Sequence, residues 1–92
     1  MNIKKLDTIK SDERGTIFNC EKINYLTRKK HTISSDHTHA EGEEVFLVEG
    51  KIELTVGDQT KEVEAPIKID IPPNVYHKIT ALTDIRILYL YK

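Results

Sequence analysis

The chain has 92 residues, 38% of them hydrophobic and 32% charged, with a formal net charge of −1 at pH 7. That length makes one domain, able to bury roughly 60–65% of its unfolded surface, and the composition is ordinary for a globular chain. The near-zero charge excludes an electrostatic drive toward nucleic acid or an anionic membrane surface, and no apolar run approaches the length of a bilayer span.

Residues 1–15 are polar and end in Asp12-Glu13-Arg14-Gly15, which reads as a lead-in segment closed by a turn. Lys4 and Lys5 have no apolar run behind them, so no signal peptide is expected. Cys20 is alone, which rules out an intrachain disulfide, and nothing speaks for secretion. A cytoplasmic protein is the expectation, with Cys20 a buried, inert thiol. Residues 16–20, 23–27 and 30–33 are short β-rich runs. The basic run Arg28-Lys29-Lys30 between the last two reads as a solvated hairpin tip.

Ser34-Ser35-Asp36 breaks the pattern, and His37-Thr38-His39 and residues 43–49 then make two strand pieces with Gly42 as a bend between them. Gly50 permits a tight turn, and residues 51–56 alternate polar and apolar without a fault, the mark of a half-buried strand. Residues 60–64 are a more polar edge candidate. Alternation returns at 67–71 and stops at Pro72-Pro73-Asn74. Residues 77–82 and 84–91 complete the strands. No window carries helical spacing, so an all-β sandwich or barrel is expected.

Chemistry concentrates at His37, His39, Glu43 and His77. A strand sends residues i and i+2 to one face, so His37 and His39 aim at one point. The turn at 72–74 can swing His77 back to it. Imidazole and carboxylate are ligands for first-row transition metals. Glu44 competes with Glu43 for the carboxylate role. Choosing Glu43 faces Val45 and Leu47 inward and sends Phe46 and Val48 out, and a one-residue slip reverses the whole set. His31 lies six residues before His37 and reads as a strand residue near the barrel mouth.

His37, His39, Glu43 and Gly50 resemble the first motif of the cupin superfamily, His-x-His, three or four residues, Glu, six residues, Gly. Pro72, Asn74 and His77 resemble its second motif, with Asn in place of Gly, a residue tolerant of positive φ. Ala81 stands where that motif usually ends in asparagine. The resemblance implies a single cupin domain over 1–92, a double-stranded β-helix (jelly-roll barrel) over 16–91. It also implies a divalent metal (Fe, Mn, Ni, Zn or Cu) held by His37, His39, Glu43 and His77. Asp12-Glu13-Arg14-Gly15 is similar, more narrowly, to cupins that isomerise or epimerise nucleotide-linked keto sugars. Those carry Arg-Gly shortly before the first His, where this chain has Ser34-Ser35-Asp36, and generally use a His base without metal.

Two functional readings follow. One is a metal-dependent isomerase, epimerase or oxygenase acting on a small polar metabolite such as a sugar or oxo acid. The other is a non-catalytic metal- or ligand-binding module. Both need a small-molecule ligand, and neither needs nucleic acid or a membrane. Val45-Phe46-Leu47-Val48 and residues 87–91 are apolar on both faces, which predicts a homodimer covering the outer one.

Overall fold

The alternating runs form strands in the computed structural model, which describes residues 1–92. The ten strands are β1 (Asp7–Asp12), β2 (Gly15–Asn19), β3 (Asn24–Arg28), β4 (Ile33–His37), β5 (Glu43–Glu49), β6 (Lys51–Val56), β7 (Gln59–Glu64), β8 (Ile67–Ile71), β9 (His77–Ala81) and β10 (Ile85–Tyr91). One sheet has the order β1-β2-β3-β10-β5-β8 and the other β4-β9-β6-β7. The two face each other as an all-β jelly roll. No helix is long and apolar enough to cross a membrane.

Period-2 alternation explains the core. On β5, Val45 and Leu47 are buried and Val48 is 45% exposed. Their neighbours on β10 are Tyr89 and Ile87, and Ile87 pairs in turn with Leu26 of β3. From the other sheet Ile52, Ile79 and Ala81 close the same cluster. Burying each of the valine, leucine and isoleucine side chains stabilises the fold by about 1.5–3 kcal/mol. Two glycines are obligatory for the strand order. Gly15 and Gly50 have φ of +146° and +102°, and a Cβ there would meet the Thr27 and Asp84 carbonyl oxygens at 2.0 and 2.5 Å.

Five local expectations are corrected. Residues 7–12 belong to no lead-in but form β1, an edge strand paired with β2. Exposed on nearly all sides, β1 buries no face and so carries no alternation to detect. Strand β4 runs through Ser34-Ser35-Asp36 instead of ending before it, while residues 30–32 are a turn or loop. His31 sits in that turn at φ +71°, exposed and outside any strand. Arg28 is not part of a solvated tip, being only 6% exposed on the inner face of β3. Cys20 is half-buried just after β2.

Candidate metal centre

The four residues singled out in the sequence converge at one end of the space between the sheets. His77 opens β9 and is fully buried, paired across the ladder with His37 at the end of β4. A bulge makes this pairing possible. Ser34 pairs with Ile79, so unbroken alternation would set Asp36 opposite His77 and aim it inward. The register shift between Ser34 and His37, with Ser35 at φ +57°, inserts one residue and delivers His37 instead. His39 lies beyond β4 in a loop, so its approach owes nothing to strand periodicity. That loop is tied to the proline turn by the Asn74 N–H, which donates to the His39 carbonyl at 2.8 Å. Asn74 itself takes φ +61°.

One ring nitrogen from each of His37, His39 and His77 lies within 4.8 Å of the others. Ring centroids are 4.7–5.0 Å apart. Two tautomers follow from the backbone. A carbonyl only accepts, so His39 Nδ1 donates to Glu41 O at 2.7 Å and His77 Nδ1 donates to Val75 O at 3.1 Å. Each Nε2 is therefore the bare lone pair, and both are buried without a partner. A ring N–H donated to a backbone carbonyl is how metal-ligating histidines are oriented. The donor set thus fits a metal ion.

Glu43 is 4% exposed and stands outside the imidazole triad, its Oε1 3.7 Å from His77 Nε2. That is too long for a hydrogen bond, and Glu43 would be the carboxylate available to complete a mixed imidazole–carboxylate ligand set. Glu44 points away and bridges to Lys68 at 3.2 Å. Burial pushes the Glu43 carboxyl up, opposed by His39. Burial pushes His77 down, opposed by its hydrogen bond to Val75 and aided by the other two histidines. His37, at the rim, is lowered first by desolvation and then by His39, with Asp36 opposing. All three shifts favour the neutral side chain.

A model of the cupin domain matches residues 24–91. The chain belongs to the cupin family. Among solved structures this cupin is similar to an RmlC-like cupin from Shewanella frigidimarina, at 15% identity and a TM-score of 0.81, over 95% of this chain and 83% of that one. A cupin-2 domain protein from Rhodospirillum rubrum aligns at 16% identity and a TM-score of 0.81, over 100% of this chain and 74% of that one. The capsular polysaccharide assembling protein CapF of Staphylococcus aureus aligns at 20% and 0.82, with 97% of this chain covering 28% of that longer one. At such identities the likeness is one of fold. No curated protein sequence matches this cupin.

Beside the triad the barrel holds a cavity of about 400 Å³, with His37, Glu43 and Tyr91 in its lining. Ile17, Leu26 and Ile87 form apolar wall, and Lys10, Arg14 and Arg28 line the far part. Sequence reasoning missed Tyr89, Tyr91 and Arg28 as cavity residues. Tyr89 and Tyr91 lay in a run apolar on both faces, and Arg28 in a basic run that looked solvated. Burial raises both tyrosine hydroxyls. His31 lies away from the cavity, and Arg14 reaches its rim while held by Asp12 at 2.8 Å.

Proposed function

We propose that this cupin holds a divalent transition metal through His37, His39 and His77 with Glu43 as fourth ligand, and acts in the cytoplasm on a small polar metabolite in the adjoining cavity. The observation that carries the reading is the pair of buried, unpartnered Nε2 atoms on His39 and His77, each fixed as an acceptor by its own backbone hydrogen bond. Orphaned buried acceptors cost folding free energy, and a cation shared among them removes that cost. A bound ion would act as a Lewis acid on a carbonyl or lower the pKa of a coordinated water.

The chain's own residues define the rest. His77 and Glu43 come from rigid strands, so the inner half of the site is set before any ligand arrives. Glu43 is also a carboxylate whose raised affinity for protons suits proton transfer. Tyr91 packs edge-on against His39 with ring centroids 5.2 Å apart and closes one side. This geometry supports an isomerase, epimerase or oxygenase type of reaction on a sugar or oxo acid. The short strand connections leave no segment long enough for a lid, which favours the second reading, a binding module without turnover.

We also read this cupin as a homodimer. Phe18, Tyr25, Leu88 and Phe46 are register neighbours across β2, β3, β10 and β5, forming an apolar row on the outer face. Phe18 and Tyr25 stack at 5.7 Å.

Elemental analysis of protein purified without a histidine tag tests the metal reading. Stoichiometric metal in the wild type and little in His77→Ala is the expected result. Equal occupancy in both refutes the site. Turnover of keto sugars or oxo acids by the metal-loaded form separates enzyme from binding module.

A further inference from the structure

Arg28 is the one interior cation without an anionic partner. It is 6% exposed and forms no ion pair, Nη1 donates to the Thr27 carbonyl at 3.0 Å, and Nε is buried with no partner at all. A buried guanidinium stays charged, and an unpaired buried charge is unfavourable unless something completes it. Asp12 attracts Arg28 through space, but no acid bonds to it. Asp12 gives both carboxylate oxygens to Arg14, and Arg14 adds like charge. Asp36, the acid beside His37, accepts from the Tyr76 hydroxyl. Glu43 lies at the opposite end of the sheet, since Glu43 pairs with Tyr91 and Arg28 with Ile85 of β10.

The cavity connects these two ends. Arg28, Leu26 and Ile17 line it on one side of Tyr89, with Glu43, His37 and Tyr91 on the other. We propose that the cavity selects a small carboxylic acid, its carboxylate held by the inner edge of Arg28 and its other end presented to the histidines. The free Nε–H lies beside an Nη–H in the planar fork that matches a carboxylate with two parallel hydrogen bonds. Six residues of β10 separate the two anchoring positions, at most about 20 Å of extended strand. That span fits an acid of several carbons better than a two-carbon one, with hydroxyl or carbonyl oxygens at the end away from the carboxylate. Tyr89, whose hydroxyl is influenced by both Glu43 and Arg28, stands along the middle of such a ligand.

This inference rests on the proposed function for what happens at the histidine end, but the carboxylate subsite itself needs no metal. The test therefore uses the full chain stripped with chelator. Gluconate and hexanoate are the charged probes, glucitol and hexanol their uncharged counterparts, and inorganic phosphate a non-planar anion. Binding is followed by calorimetry and by the Arg28 Nε–H resonance. At least one carboxylate should bind at millimolar concentration and shift that resonance, at least tenfold tighter than its uncharged counterpart. Arg28→Gln should abolish the difference, and Arg28→Lys, which loses the fork, should reduce it severalfold. Removing an unpaired buried charge should also raise the melting temperature of Arg28→Gln, which separates lost recognition from lost folding. Equal binding of charged and uncharged probes, tighter binding of phosphate, or undiminished carboxylate binding in Arg28→Gln overturns the proposal. Metal titration of Arg28→Gln should match the wild type. A wild type that takes no metal but binds carboxylate through Arg28 refutes the metal centre and leaves this subsite standing.

Discussion

Replacing Glu43 by glutamine should change stability in opposite directions with and without metal. Glu43 is 4% exposed, and its one close partner atom, His77 Nε2, is 3.7 Å away on a ring that burial pushes toward neutrality. In metal-free protein at mildly alkaline pH the carboxylate is thus a buried charge without a matched partner. Glutamine keeps the shape and removes the charge, a gain of about 1 kcal/mol, the low end of the cost of an unsatisfied buried group. For a domain of this size that raises the melting temperature by roughly 4–8 °C. With metal the sign reverses. Losing even a supporting contact to a metal site typically weakens binding about 10–100-fold, and a direct ligand should cost no less. Stabilisation by ligand follows the logarithm of concentration over Kd, so the loss is about 1.4–2.7 kcal/mol. The metal-induced rise in melting temperature should shrink by roughly 6–20 °C. Circular dichroism melts of wild type and Glu43→Gln, each with chelator and with excess Mn²⁺ or Zn²⁺, give all four values. An unchanged metal-induced rise removes Glu43 from the ligand set, and a lower melting point in chelator refutes the buried-charge account.

Oligomeric state gives a second check. Light scattering across a dilution series should return a dimer that Phe46→Lys breaks, because covering Phe46 and Leu88 is worth about 1.5–3 kcal/mol each. A wild-type mass of 10.6 kDa at micromolar concentration excludes it. The pH dependence of metal-free protein supplies a third. His37 and His77 are lowered from 6.5 in the fold, so below that value the unfolded chain binds more protons and stability falls as pH drops. The raised Glu43 carboxyl works in the opposite direction, so the check uses Glu43→Gln, in which a melting temperature that rises on acidification from neutrality to below about pH 6 contradicts that sign.

Local pattern and spacing carried the strands and the candidate ligands. The runs at 51–56 and 67–71 match β6 and β8 residue for residue, because a strand with one wet face must write its two faces into the sequence. The inward set Glu43, Val45 and Leu47 was readable for the same reason. Strand β1 was not, since an edge strand exposed on both faces writes no alternation. The approach of His37 to His77 depends on a bulge at Ser35, and that of His39 on a loop tied to Asn74, neither of which periodicity reports. Arg28 shows the difference most plainly. Beside Lys29 and Lys30 it looked like one charge of a solvated tip, yet its neighbours run outward while it continues the inward face of Leu26. A sequence records which side chains are charged. Only the packing of two sheets decides which of those charges lose their water, and a buried charge without a partner is what marks a place for a ligand.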